Sequence, residues 1–163
     1  MIDADAYAAA EAVLVAFRAR RWTLATAESC TGGLVAGTLT AVPGSSDVVD
    51  RGFVTYSNAA KVAMIAVPEA TLLAHGAVSE ETARAMAEGA RAAAGVDVAV
   101  SVTGVAGPGG GSVLKPVGLV HFGCARRDGT TTHRAMQFGD PGRAEIRHQA
   151  VLVALSLLAE AAR

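Results

Sequence analysis

A serine that follows a short apolar run and precedes two glycines is the first place in this chain to look for chemistry. Thr26-Ala27-Glu28-Ser29-Cys30-Thr31-Gly32-Gly33 reads as a strand end, a small hydroxyl residue and a glycine-assisted turn into a helix. Such a turn can expose the Ser29 oxygen. The backbone N–H groups of Cys30, Thr31, Gly32 and Gly33 would face the same space and stabilise an oxyanion formed by attack on a carbonyl. The plainer reading is that Ser29 or Thr31 only caps the helix. As a nucleophile Ser29 needs a base, and none of His75, His121, His133 and His148 stands in a context that marks it as one. The segment Tyr56-Ser57-Asn58-Ala59-Ala60-Lys61 offers another. If Asn58 caps a helix, Lys61 falls in the first turn, where the positive helix end disfavours an ammonium by roughly 0.3–1 kcal/mol. Burial pushes the same way, toward a neutral amine able to deprotonate a hydroxyl. The alternative is an exposed lysine with its charge in water. Tyr56 can relay or orient the proton, or it can be a core tyrosine with a satisfied hydroxyl.

Two further segments suit a ligand. Ser101 to Ser112 contains Thr103-Gly104-Val105-Ala106-Gly107-Pro108-Gly109-Gly110-Gly111, a glycine-rich loop that lets a ligand approach the backbone closely. It is neither a Walker A loop nor a G-x-G-x-x-G fingerprint. Arg143 and Arg147, four residues apart, share one face of a final helix near its positive end. They suit an anion such as phosphate, or they are two solvated arginines.

The elements that must position these groups follow from periodicity and punctuation. Residues 3–20 repeat apolar side chains at helical spacing, with Asp3 or Asp5 as cap. Strands are expected at 22–27, 51–56 and 96–102, the last apolar and β-branched as a buried central strand is. Helices are expected from the Ser29 turn to about Val42, over 58–65, from Pro68 to Gly76, and from Ser79 to Ala94 with Gly95 as stop. Segments 117–125 and 130–138 flank Arg127-Asp128-Gly129 as an antiparallel hairpin, and Asp140-Pro141 opens the last helix. Helices interleaved with strands, then a late hairpin, give an α/β fold, a three-layer α/β/α sandwich with a mixed sheet.

At 163 residues the chain suits one domain spanning 1–163. Hydrophobic residues make up 52% and aromatic residues 4%, so the core is built from Ala, Val and Leu with close helix-to-sheet packing. A net charge of -1 argues against nucleic acid as partner. Cys30 and Cys124 form neither a C-x-x-C pair nor zinc-type spacing, and no apolar stretch is long enough to span a bilayer. The expectation is a cytoplasmic protein with no membrane association. The alanine-rich helices at 78–94 and 140–163 can pack across subunits or cover the sheet, and a homo-oligomer is expected.

The ordered set Thr26–Gly33, Arg51-Gly52-Phe53-Val54-Thr55-Tyr56-Ser57-Asn58 with Lys61, His75-Gly76-Ala77-Val78-Ser79, Thr103–Pro108 and Lys115-Pro116-Val117-Gly118 resembles the CinA C-terminal domain family, the nicotinamide mononucleotide deamidases. The resemblance covers nearly the whole chain, in what looks like the stand-alone form. It implies hydrolysis of nicotinamide mononucleotide to nicotinic acid mononucleotide and ammonia, in pyridine nucleotide salvage, with no metal or cofactor. It implies a serine nucleophile assisted by a lysine and a nearby tyrosine, which fall on Ser29, Lys61 and Tyr56. The expected substrate contacts are Glu28, Thr103, Gly104, Arg143 and Arg147, with the phosphate at the start of the final helix. One departure is Leu114, where many relatives carry an acidic residue. A competing reading is a catalytically inactive nucleotide-binding module that acts through a partner protein.

Overall fold

The computed structural model describes residues 2–163. Asp3 accepts a hydrogen bond from the Ala6 N–H at 2.9 Å and so caps α1 (Ala4–Arg20), which buries Ala6, Ala10, Val13, Leu14 and Phe17 along one stripe. There follow β1 (Leu24–Glu28), α2 (Leu34–Thr40), a short 3-10 turn (Ser45–Asp47), β2 (Val49–Val54), α3 (Asn58–Ile65), α4 (Glu69–His75) and α5 (Glu80–Ala94). The chain ends with β3 (Val98–Gly104), β4 (Leu119–Arg126), β5 (Thr131–Gln137) and α6 (Arg143–Ala161). The five strands lie in the order β2-β1-β3-β4-β5. β1 pairs in parallel with both β2 and β3, and the last two pairings are antiparallel. The sheet is therefore mixed and lies between two helical layers, the three-layer α/β arrangement expected.

The two faces of the sheet are built differently. Leu24, Val98, Val100, Val102, Val120 and Phe122 pack with Val13, Phe17, Leu39, Ile146, Leu155 and Leu158 from α1, α2 and α6. The opposite face carries Ala25, Ala27 and Ala99 against Ile65, Met86 and Ala90. Small side chains there admit α5 almost to backbone contact. Ser101 Oγ donates to the Ala83 carbonyl at 2.6 Å and accepts from the Gly123 N–H at 3.0 Å. A Cβ at Gly123 would collide with that same carbonyl, and one at Gly89 would collide with the Ile65 carbonyl of α3.

Several boundaries differ from the periodicity, each for a local reason. β1 starts at Leu24 because the Thr23 N–H goes instead to the Asp97 carboxylate, at 2.9 Å. The α3 cap is Ser57, whose hydroxyl accepts from the Ala60 N–H at 3.0 Å, and not Asn58. α6 begins after Gly142 (φ 99°) without a side-chain cap. Asp140-Pro141 therefore stands outside the helix it was expected to open.

The topology fixes where a site can form. After β1 the chain leaves toward the α1/α2/α6 face, and after β2 it leaves toward the α3–α5 face. Adjacent parallel strands whose connections part to opposite faces leave a crevice at their carboxyl ends. Ser29 follows one of those ends and Tyr56 the other.

Replacing Gly89 by alanine should gain roughly 0.5–1 kcal/mol in helix propensity. Overpacking, typically 1–3 kcal/mol, should outweigh it, because the obstacle is a backbone carbonyl with no rotamer to yield. A net loss of about 1–2 kcal/mol in urea unfolding is expected; an equally stable variant would show that α3 and α5 do not meet so closely.

Candidate active site

Ser29 continues the β1–β3 pairing by one residue, its N–H donating to the Val102 carbonyl at 2.9 Å, and it remains half-buried. Thr55 does the same for β2, donating to the Glu28 carbonyl at 2.9 Å. With both strand ends pinned to β1, the Ser57 cap starts α3 so that Lys61 returns across the crevice. Lys61 Nζ lies 3.1 Å from Ser29 Oγ and donates to the Thr55 carbonyl at 2.8 Å. The side chain is 1% exposed, and among the described residues no carboxylate forms an ion pair with it. Burial therefore holds the Lys61 pKa below the ordinary lysine value. A neutral amine beside a hydroxyl can take its proton.

The turn after Ser29 is held from both sides. Below it, the buried Glu28 carboxylate accepts from the N–H groups of Gly33 (3.0 Å), Val35 (3.0 Å) and Ala36 (2.9 Å) and from the Thr26 hydroxyl (3.2 Å). These are the orphan donors of the α2 start, so Glu28 is the helix cap. It was expected to meet substrate; it is 1% exposed, and both oxygens are hydrogen-bonded within the fold. Above the turn, Arg147 donates from Nε to the Cys30 carbonyl (3.1 Å) and from Nη2 to the Thr31 carbonyl (3.0 Å). Not all of the expected oxyanion donors remain available. The Gly32 N–H bonds to the Ser29 carbonyl at 3.0 Å and the Gly33 N–H to Glu28, which removes both. Among the described residues the N–H groups of Cys30 and Thr31 meet no acceptor in the chain. The Cys30 thiol is buried, and its pKa is pushed up to about 11 by desolvation, so it stays protonated and unreactive at neutral pH.

The remaining expected residues are distributed differently. Tyr56 is 61% exposed, and its hydroxyl accepts from Arg143 Nη2 at 3.0 Å. It bonds neither Lys61 nor Ser29, so the proton relay is not formed in this arrangement. Arg143 Nη1 donates to the Gly107 carbonyl at 2.8 Å, which ties the start of α6 to both the Tyr56 corner and the glycine loop. The Thr103 hydroxyl donates to the Ala77 carbonyl at 2.7 Å and is buried, so it too is committed to the fold. A side chain at Gly104 would strike Leu119 and Val120 on β4, so this glycine serves strand pairing. The histidines stay apart from Ser29: His121 and His133 bond each other across β4 and β5 at 2.9 Å, His75 faces Glu81 and His148 faces Asp3.

Sequence reading missed the Thr55 carbonyl as the second partner of Lys61 and Glu28 as the cap of α2. A helix start with no Ser, Thr, Asp or Asn at its own cap position, preceded by an isolated Glu at a strand end, was the available signal for the latter. An apolar groove of about 420 Å³ between α3 and α4, lined by Asn58, Val62, Glu69, Leu72 and Leu73, takes in neither Ser29 nor Lys61. Among the described residues no cluster of three metal-ligating side chains is present, and no helix is long and apolar enough to cross a membrane.

Comparison with known proteins agrees on a single family. A family model described as the CinA C-terminal domain matches residues 6–162. A protein of Enterobacter agglomerans named nicotinamide-nucleotide amidohydrolase PncC is 53% identical over 141 residues, 86% of this chain and 85% of that protein. A CinA-like protein of Anaeromyxobacter dehalogenans is 52% identical over 151 residues, 93% of this chain but 36% of that protein. The chain likewise spans between 34% and 37% of several other curated relatives. Among solved structures, the competence/damage inducible protein CihA from Agrobacterium tumefaciens superposes with a TM-score of 0.98 at 48% identity, covering 100% of this chain and 99% of that one. The competence damage-inducible protein A from Klebsiella pneumoniae gives 0.91 at 39% identity, with 95% of each chain covered.

The buried amine has a thermodynamic signature. The unfolded chain takes up the Lys61 proton as pH falls through 10.5, while the folded chain does so only at its lowered value. Between those two points unfolding binds a proton and stability falls as pH falls; below both the deficit is constant. Lys61→Met, similar in length and uncharged, should therefore melt higher than wild type at pH 7, with the gap narrowing as pH approaches 10.5. Thermal unfolding across that range checks it, and a pH-independent difference would contradict the assignment.

Proposed function

The chain belongs to the CinA C-terminal domain family, and on that premise we propose that it hydrolyses the carboxamide of nicotinamide mononucleotide. The products would be nicotinic acid mononucleotide and ammonia. The observation that carries this reading is the pair itself, a buried lysine amine with no counter-charge among the described residues, 3.1 Å from the oxygen of a half-buried serine.

In the proposed reaction Ser29 Oγ attacks the carboxamide carbon as its proton passes to neutral Lys61 Nζ. The carbonyl oxygen becomes an oxyanion, met by the unpaired N–H groups of Cys30 and Thr31. Collapse of the tetrahedral intermediate breaks the C–N bond, and the departing nitrogen takes the proton from the Lys61 ammonium and leaves as ammonia. Water then gives a proton to Lys61 and attacks the acyl ester. The proton returns to Ser29 Oγ as the acid is released. Burial keeps the amine unprotonated and so available as a base, and it makes the ammonium formed a stronger acid toward the departing nitrogen. Arg143 is exposed, and among the described residues it has a carbonyl and a phenol as partners and no carboxylate in an ion pair. It is the cation we assign to the nucleotide phosphate.

Ser29→Ala should lower ammonia release from nicotinamide mononucleotide on the order of 10³-fold or more, with little change in KM. Undiminished turnover would remove Ser29 as nucleophile. The pH profile addresses Lys61 separately. kcat/KM should rise with pH through a single deprotonation whose midpoint lies below 10.5, because only the neutral amine is a base. Lys61→Arg, protonated throughout, should be inactive across the profile. A rising limb that survives in the arginine variant would assign the titration to another group.

A further inference from the structure

Arg147 differs from an ordinary surface cation in what it binds. Its partners are two successive carbonyls of the turn that follows the nucleophile, Cys30 O on Nε and Thr31 O on Nη2. Peptide planarity makes this consequential. The Cys30 carbonyl and the Thr31 N–H belong to one trans peptide and point in opposite directions. Holding the oxygen against the guanidinium therefore fixes the Thr31 N–H facing away from it, and there the N–H meets no acceptor among the described residues.

The next peptide is held at both ends as well. The Thr31 oxygen accepts from Arg147 and from the Leu34 N–H at 3.2 Å, while the Gly32 N–H is taken by the Ser29 carbonyl. The turn has no freedom to rotate the Thr31 N–H out of place. A full positive charge on the carbonyl oxygen also draws electron density along the amide and makes its N–H a stronger donor, as coupled hydrogen bonds do in a medium of low dielectric. Spanning two oxygens needs the planar fork of a guanidinium; a single ammonium cannot reproduce it.

The geometry points to Arg147 as a positioning residue that aims and polarises the Thr31 N–H as the oxyanion donor, in place of the phosphate contact expected from the sequence. The inference rests on the amidohydrolase reading of Ser29. Its two nitrogens spent on neutral carbonyls give the cation a task in the turn whether or not substrate is present.

The experiment compares wild type, Arg147→Ala and Arg147→Lys with nicotinamide mononucleotide as substrate. Aiming an oxyanion donor acts on the transition state, so kcat should fall about 10²-fold in both variants with KM nearly unchanged. Added guanidinium ion should restore part of the kcat of the alanine variant. A phosphate ligand gives the opposite split, KM raised and kcat kept, and that result would overturn the inference. A wild-type protein that releases no ammonia would instead refute the reading of Ser29. In that event the Thr31 amide proton, followed by NMR in 15N-labelled wild type and Arg147→Lys, still decides the matter. The resonance should move upfield in the lysine variant, which retains cation and bulk should the alanine variant fail to fold; an unmoved resonance would overturn the inference.

Discussion

The structure turns on an amine kept in the interior, where no acid among the described residues neutralises it. A buried lysine ordinarily finds a carboxylate, because an unpaired ammonium loses hydration that nothing in the interior replaces. Here the fold supplies a hydroxyl and a backbone carbonyl, partners that a neutral amine satisfies and that compensate a charged one poorly. Every neighbouring feature protects that condition. β2 and β1 stay paired one residue past the end of β2 at Thr55, which puts the Thr55 carbonyl under the amine. α3 packs against α5, where Ile65 is sealed in the alanine-lined layer. A carboxylate does stand next to Ser29 in sequence, at Glu28, and its oxygens are saturated by amides at the α2 start and a threonine hydroxyl.

That saturation links the two halves of the site. The start of α2 would ordinarily be an electropositive place with several free amides. Glu28 takes the amides that belong to the helix, while the Ser29 carbonyl takes the one at Gly32. What is left is narrow, the donors at Cys30 and Thr31, and it is directional. Arg143 and Arg147 come from the same helix but divide the labour. One reaches the Tyr56 corner and the glycine loop, the other the back of the turn. Two arginines four residues apart on a helix face thus touch three separate segments of chain and hold the mouth of the crevice together.

The fold class was legible because periodicity and punctuation are strong here. Gly95 and Pro68 bracket α4 and α5 closely, the β-branched run before Gly104 marks a buried strand, and Arg127-Asp128-Gly129 marks the hairpin. Boundaries slipped where a long-range partner outbid a local one, as at Thr23, whose amide answers to Asp97. In the site, residue types could suggest which side chains have the chemistry, but not which are already occupied. Glu28, Thr103 and the two glycine amides looked available in one dimension. Each is spoken for by a neighbour that only the folded chain supplies: an α2 amide, the Ala77 carbonyl, the Ser29 carbonyl. The Tyr56–Arg143 bond spans 87 positions of sequence, and no local pattern foreshadows it.

The unequal faces of the sheet carry a consequence for how such a chain can diverge. On the side of α1, α2 and α6, branched and aromatic side chains interlock, and a lost methylene on one can be regained on its neighbour. On the side of α5, main chain meets main chain across alanine, serine and glycine, and no bulk is available to exchange. Drift should therefore accumulate in the first layer and stall in the second. Since Lys61 rides on the helix wedged against that second layer, the part of the molecule least free to vary is the part that keeps its amine dry.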